Sequence, residues 1–243
     1  MIYLYSGTPG SGKSLHCASN IYNNLKYGNY TYICNFPINM DKFTDKQRKR
    51  FIYRDNAGMT PEYFQQFSEQ YFREHPAKSI KDAEGRLKIY IDEAQIMFNA
   101  REWQKTYQGG WTKFFSLHRH LGYDIILIAQ FDRMLDRQIR SLIEYEYVHR
   151  KISNIGIYGK VANIVACGGL FYCAKIWYPQ KEKIGGDFFK YRRKYDGLYD
   201  THAMFTEDGV TASVTGAGGM GTPEPGAETD IPPMAPLLDN GNT

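Results

Sequence analysis

The sequence predicts an α/β fold in which helices cover a mostly parallel sheet. A glycine-rich loop lies between an apolar run and a helical apolar stripe, and a further strand pattern follows that helix. Two later apolar runs each end in polar residues. Strand, loop, helix and strand in succession form a βαβ unit, whose strands are parallel. The length of 243 residues allows one such domain with an extension, since domains of about 100 to 200 residues are usual.

The glycine-rich loop follows apolar residues 2–5 and fills every fixed position of the pattern G-x-x-x-x-G-K-[ST]. The glycines let backbone N–H groups surround a polyphosphate, and the lysine reaches its β- and γ-phosphates. The helix that starts near the lysine adds the positive end of its dipole. We therefore predict a P-loop NTPase that binds ATP through Gly7, Thr8, Pro9, Gly10, Ser11, Gly12, Lys13 and Ser14.

The segment after the first helix carries the next regular elements. Residues 30–35 predict a second strand, because they are rich in aromatic and β-branched residues. Residues 42–54 are charged and irregular, so we expect an insertion on the surface. Thr60 and Pro61 supply an N-cap and a first helical residue, which predicts a helix to about Arg73. Residues 78–86 are polar and basic and predict a solvated loop.

An apolar strand over residues 87–91 delivers two adjacent carboxylates, Asp92 and Glu93, at its C-terminal end. Strands often end in acids, so this pattern gains its meaning from the P-loop that precedes it. In a P-loop fold we expect Asp92 and Ser14 to hold Mg²⁺, while Glu93 polarises the attacking water. A helix is predicted to continue from residue 94 to residue 103.

A helix over residues 112–121 and a buried strand over residues 124–130 come next. If this strand neighbours the one before Asp92, its terminal Gln130 lies beside Glu93 and the γ-phosphate. Gln130 is then a sensor that hydrogen-bonds phosphate or water; the alternative is an amide satisfied at the strand end. His118 and His120 have no further ligands in a metal-binding spacing, so we expect no metal there.

Residues 132–142 predict a helix on which Arg133, Arg137 and Arg140 share one face. Three interpretations stay open for this stripe. It is a solvated surface, it contacts a nucleic-acid backbone, or it reaches the phosphate site of a neighbouring subunit as arginine fingers do. We take Arg137 and Arg140 as candidate catalytic residues of a homo-oligomer.

From residue 145 the pattern changes to alternation, which predicts an antiparallel β extension with strands at residues 145–152, 161–167 and 170–178. Residues 188–199 interleave aromatics with cations, as in single-stranded nucleic-acid binding or in a half-exposed strand. The predicted organisation is a P-loop core over residues 1–144, a β-rich extension over 145–206 and a disordered acidic tail over 207–243.

Charge and cysteine usage limit the environment. The tail holds six acids and no Lys or Arg, so residues 1–206 carry 30 basic and 20 acidic side chains, a formal charge of +10. Such a body favours an anionic partner, nucleic acid or lipid headgroups, although a solvated charged surface is equally common. No C-x-x-C spacing joins the cysteines, and no signal peptide precedes the first strand, so we expect reduced thiols in a cytosolic protein. The cysteines are Cys17, Cys34, Cys167 and Cys173.

Several segments together resemble the zonular occludens toxin (Zot) family, whose members are assembly ATPases of filamentous bacteriophages. They are the P-loop, residues 91–95 (IDEAQ), residues 118–130 (HRHLGYDIILIAQ) and residues 195–202 (YDGLYDTH). The resemblance covers residues 1–205. It implies an ATPase that extrudes single-stranded phage DNA at the cytoplasmic face of the host inner membrane, with phage coat or assembly proteins as partners.

Carried over by position, the resemblance implies that Lys13 and Ser14 bind phosphate and Mg²⁺, that Asp92 and Glu93 form Walker B, and that Gln130 is the sensor. Family members usually carry a membrane-spanning helix after the ATPase domain. The most membrane-like window here, residues 161–174, has 14 residues, fewer than the roughly 20 that a spanning helix needs. We therefore expect peripheral membrane association, or association through another subunit.

Two other function classes compete with a motor ATPase. The first is a nucleotide-dependent switch or scaffold with little hydrolysis, which the second carboxylate, Glu93, disfavours because a pure binder does not need it. The second is a P-loop kinase of a small metabolite. It is disfavoured because no lid-like arginine cluster follows, and because Glu93 would direct ATP to water.

Overall fold

The computed structural model describes residues 1–101, 104, 109–154, 156–157, 161, 164, 169–195 and 197–198. Within them, one sheet has the strand order β3-β2-β4-β5-β1-β6-β7-β8. Neighbours from β3 to β6 are parallel, whereas β7 and β8 continue the sheet antiparallel. The strands are β1 (Ile2–Ser6), β2 (Thr31–Cys34), β3 (Phe51–Tyr53), β4 (Leu87–Ile91), β5 (Tyr123–Ile128), β6 (Tyr145–Lys151), β7 (Leu170–Trp177) and β8 (Glu182–Lys190). The predicted parallel sheet with an antiparallel extension is confirmed.

Helices begin where the sequence supplies an N-terminal signal. Before α3, the Thr60 side chain accepts a hydrogen bond of 3.2 Å from the Tyr63 amide, and Pro61 takes the first helical position. The helix α1 starts at Lys13, directly after the P-loop. The helices of the described residues are α1 (Lys13–Tyr27), α2 (Asp45–Arg48), α3 (Pro61–Glu74), α4 (Ile80–Ala83), α5 (Trp111–Leu117) and α6 (Arg137–Ser141).

The central strands are buried on both faces, and alternate side chains enter two separate cores. In β4, Ile89 and Ile91 belong to one core, while Tyr90 faces the other. The first core packs against α3, α5 and α6, and the second packs against α1. Strands covered in this way carry nearly continuous apolar runs, which is why the sequence identified them. None of the described helices is long and apolar enough to cross a bilayer.

Three local predictions are wrong. Residues 42–54 are not an irregular insertion, because they form α2 and then β3, which pairs with β2 as an edge strand. Residues 78–86 are not an open loop, since Ser79 caps the short helix α4 and Ala83 is buried. Residues 94–98 form successive turns rather than a helix. The predicted end of that helix, Trp103, lies outside the described residues.

The predicted helix over residues 132–142 is broken. Residues 132–134 form a 3₁₀ turn, Leu135 is extended and fully buried, and Asp136 caps the separate helix α6. Arg133 therefore does not share a helical face with Arg137 and Arg140, so the predicted stripe of three is wrong.

The β extension differs from its prediction in two places. The two described residues of the predicted strand 161–167, Val161 and Ile164, have helical backbone. The strand β8 was not predicted, although its last residues fall in the basic and aromatic segment. Residues 207–243, the predicted tail, lie outside the described residues.

Candidate nucleotide site

The P-loop closes the carboxyl end of β1, and its backbone requires glycine at fixed points. Gly7, Gly10 and Gly12 have φ values of 141°, 71° and 97°, which side chains rarely adopt. A Cβ atom on Gly7 would lie 2.6 Å from the His149 carbonyl oxygen. One on Gly12 would lie 2.6 Å from the Phe171 ring. The loop therefore packs against β6 and β7, with no room for larger residues.

The Lys13 ammonium group points back into this loop. It donates hydrogen bonds to the Gly7 carbonyl oxygen at 2.5 Å and to the Thr8 carbonyl oxygen at 3.3 Å. Burial lowers the pKa of Lys13, and the charges of Asp92 and Glu93 partly offset that effect. The lysine amine and the two predicted Walker B carboxylates thus share one electrostatic environment at the edge of the sheet.

Asp92 is held by its backbone. The Asn35 side chain accepts from the Asp92 amide at 2.7 Å and donates to the Asp92 carbonyl oxygen at 2.9 Å. Asn35 ends β2, the neighbour of β4, and is itself buried. The Asp92 carboxylate accepts from the Glu93 amide at 2.9 Å and is 7% exposed. This clamp fixes the point where β4 delivers its carboxylates.

Glu93 has a left-handed backbone, with φ of 47°. Its carboxylate accepts a hydrogen bond from the Gln95 side-chain amide, two residues further along. Gln95 and Asn35 are the site residues that the sequence interpretation missed. A polar residue closing a buried strand was an available signal for Asn35, whereas only the turn geometry identifies Gln95.

Gln130 follows β5, which lies between β4 and β1, so the predicted neighbourhood of the two strands is correct. Its carbonyl oxygen accepts from the Gly7 amide at 3.2 Å, which joins the end of β5 to the P-loop. Gln130 also lines a cavity of about 510 Å³ beside Gly7 and Thr8, whose far wall includes Glu146 and Arg150. A larger cavity of about 1100 Å³ lies at the opposite, amino ends of β2 and β4.

Arg137 and Arg140 lie on α6, away from these contacts. Together with Asp136 they line a small cavity of about 290 Å³. The Arg140 charge acts on Asp132, whose pKa is raised by burial but held below its usual range by hydrogen bonds from Tyr178 and Lys181. In the described part of the chain, no contact joins either arginine to the P-loop, so an action within one subunit gains no support.

These features define a P-loop NTPase fold: a glycine-rich loop between β1 and α1, and two carboxylates on a parallel strand of the same sheet. Among solved structures, the ATPase domain of another protein is similar to this chain at a TM-score of 0.51 and 11% identity. The match covers 82% of this chain and 84% of that one. At this identity the likeness concerns the fold.

A family model described as "Zonular occludens toxin (Zot)" matches residues 1–204, and the chain belongs to this family. The "Gene 1 protein" of Enterobacteria phage I2-2 is 25% identical over 228 residues, which are 85% of this chain. The chain spans 58% of that relative's length. The N-terminal domain of zonular occludens toxin from Neisseria meningitidis, at 18% identity, has a TM-score of 0.48 and covers 82% of this chain and 98% of its own. The resemblance seen in the sequence is confirmed.

Proposed function

We propose that the protein is a Mg²⁺-dependent ATPase that drives assembly and extrusion of a filamentous phage. It exports single-stranded DNA at the cytoplasmic face of the host inner membrane. The observation that carries this proposal is the meeting of Lys13 with Asp92 and Glu93 at the edge where the P-loop lies. Membership of the Zot family and similarity to a phage "Gene 1 protein" support the biological setting.

The residues at this edge fit a nucleotide with its metal ion. The buried Ser11 hydroxyl has no hydrogen-bond partner among the described residues, and the loop leaves its glycines no space for a Cβ. Ser14 and Asp92 offer the oxygen ligands that Mg²⁺ prefers, and both would hold it. Bound there, the ion would supply positive charge to the β- and γ-phosphates.

The chain's own residues account for the rest of the reaction. Glu93 orients a water molecule and takes its proton as the water oxygen bonds to the γ-phosphorus and the bond to the ADP oxygen breaks. Lys13 neutralises charge on the phosphates, which requires it to leave the carbonyl oxygens of Gly7 and Thr8. Arg137 or Arg140 acts from a neighbouring subunit of a homo-oligomer. Membrane association is peripheral or occurs through another phage protein.

The first test is steady-state ATP hydrolysis by the purified chain, with and without single-stranded DNA and lipid vesicles. We expect Glu93→Gln to retain nucleotide and to lower turnover by about 10²-fold or more, because the water loses its base. Glu74→Gln is the matched control, since Glu74 is an exposed residue at the end of α3.

The three reaction mixtures separate the alternatives. Stimulation by single-stranded DNA supports the export motor, and stimulation by lipid alone indicates a membrane-coupled assembly factor that does not act on DNA. Nucleotide binding without turnover in any mixture contradicts the ATPase and indicates the switch or scaffold. Unchanged turnover of Glu93→Gln also contradicts the proposed chemistry.

A further inference from the structure

Three potential metal ligands meet behind the P-loop, outside the nucleotide site. They are His16 on α1, His149 on β6 and Cys173 on β7, and their ligand atoms all lie within 4.8 Å of one another. We propose that these three side chains form a binding site for a transition-metal ion that accepts nitrogen and sulfur ligands, Zn²⁺ in the first instance.

The fold brings the three residues together by strand register and helix packing. His149 and Cys173 are directly opposite in the antiparallel pair of β6 and β7. Side chains at opposite positions share one face, with Cβ atoms about 5 Å apart. His16 reaches the same face from the first turn of α1. His149 is 1% exposed and Cys173 is 2% exposed, while His16 is half-buried and leaves a side open to solvent.

The His149 ring is oriented as metal-binding histidines usually are. Its Nδ1 lies 3.2 Å from the Ser6 carbonyl oxygen, which can only accept, so Nδ1 carries the proton. This bond leaves the lone pair of Nε2 directed at the cluster. A ligating histidine almost always donates its other N–H to a carbonyl or carboxylate in this way.

The distances suit a tetrahedral ion after a small adjustment. His16 Nδ1 and His149 Nε2 are 2.7 Å apart and share one proton. Around zinc, with Zn–N bonds of about 2.0–2.1 Å, two ligand nitrogens stand roughly 3.3 Å apart. The rings must therefore separate by about half an ångström. The shared proton moves to His16 Nε2, and the Cys173 thiol releases its proton to solvent, so that the ion receives two neutral nitrogens and one thiolate.

The surroundings favour a cation at this point. Asp187 is opposite Cys173 across the pair of β7 and β8, and its negative charge acts on both His16 and Cys173. Its carboxylate or a water molecule is available as a fourth ligand. Lys13 is the positive charge that acts on His149. Phe189 and Tyr5, each with ring centroids 5.0 Å from that of His16, enclose the cluster.

The ion would connect three elements that support the nucleotide site. His16 follows Ser14 by two residues, and His149 hydrogen-bonds the last residue of β1. A bound ion therefore joins the first turn of α1 to β6 and β7 and restrains the helix that carries the P-loop.

The test measures Co²⁺ and Zn²⁺ binding by the full chain after treatment with a chelator. We expect one Co²⁺ per chain and the near-ultraviolet band of a thiolate ligand. Cys173→Ser loses that band, and His149→Gln weakens binding by about tenfold or more. Cys34→Ser is the matched control, because Cys34 is a buried thiol outside the cluster. Zn²⁺ raises the Tm of the wild type and of this control, but not that of Cys173→Ser.

A wild-type chain that binds no Co²⁺ overturns the proposal, as does an unchanged thiolate band in Cys173→Ser. The cluster is then a hydrogen-bonded part of the core. If the substitutions prevent folding, the wild-type chain gives the answer through alkylation in mild denaturant. Bound Zn²⁺ is expected to slow labelling of Cys173 and not of Cys34, and equal labelling of both contradicts the site.

Discussion

At the scale of single residues, the catalytic edge depends on strain that its neighbours hold in place. A left-handed backbone at a residue such as Glu93 costs about 1–2 kcal/mol, and strain of this kind is concentrated at functional sites. Asn35 fixes the preceding residue through two hydrogen bonds, and Gln95 holds the Glu93 carboxylate. Asp92 and Glu93 were predictable because they end an apolar strand. Asn35 was not assigned to the site, because its partner is 57 residues away in the chain.

His118 gives a residue-scale prediction about pH. It is 5% exposed, its Nδ1 donates to the Phe115 carbonyl oxygen at 2.5 Å, and Glu144 faces its other nitrogen at 4.0 Å. Burial, together with the charges of the N-terminus and Arg119, lowers the pKa of His118 to about 4, although Glu144 opposes this. Below pH 6.5 the unfolded chain takes up a proton that the folded chain refuses. His118 alone then removes about 2 kcal/mol of stability between pH 7 and pH 5.

We expect His118→Gln to flatten the decline of the free energy of unfolding over that range, measured by urea denaturation at each pH. His75→Gln is the control, because His75 is exposed and stacks on Tyr71 at the end of α3. An equal decline in His118→Gln and in the wild type would falsify the assignment of a buried neutral imidazole.

At the scale of elements, the hairpin of β7 and β8 forms a wall of the P-loop. Phe171 and Phe189 are opposite in register, stack at 5.4 Å, and face Gly12 and His16 respectively. Phe188 points to the other face and is 67% exposed. The hairpin therefore has one structural face and one solvated face, as strand alternation requires.

This alternation predicts a difference between two adjacent phenylalanines. We expect Phe189→Ala to lower the free energy of unfolding by about 2 kcal/mol, because it removes the stacking partner of Phe171 and His16. Phe188→Ala is the matched control on the same strand and is expected to cost less than about 1 kcal/mol. Chemical denaturation of both variants measures the difference, and equal costs contradict packing of the hairpin on α1.

Elements that break with short polar signals were the hardest to predict. The edge strand β3 has three residues beside charged neighbours, and its pairing with β2 overrides that local composition. In residues 132–142, the spacing of the arginines indicated one helix. Asp136 instead accepts from the Gln138 amide and starts α6 there, while Leu135 is extended in the core.

At the scale of the whole molecule, nucleotide binding is expected to stabilise the folded chain. At a ligand concentration of 100 times Kd, the gain is about 2.7 kcal/mol. For a domain of this size, that gain raises the Tm by about 5–10 °C. Lys13→Ala is expected to lose the shift, because the phosphates lose their cation. Lys26→Ala is the control, since Lys26 is in the last turn of the same helix, over the Tyr22 ring.

Thermal denaturation with a non-hydrolysable ATP analogue and Mg²⁺ measures this effect. A shift that persists in Lys13→Ala places the nucleotide elsewhere, for example in the large cavity at the amino ends of β2 and β4. A shift lost equally in both lysine variants reports general destabilisation and contradicts a specific role for Lys13.

The sequence by itself determined the chemistry at one edge of the sheet. The P-loop and the pair Asp92 and Glu93 each follow an apolar strand, and parallel strands end at a common edge, so these groups had to meet. Only the tertiary structure decided that β5 lies between their two strands, that Asn35 clamps Asp92, and that the hairpin of β7 and β8 covers the loop. The physical reason is that strand order and cross-strand contacts depend on packing between distant segments, which local patterns do not encode.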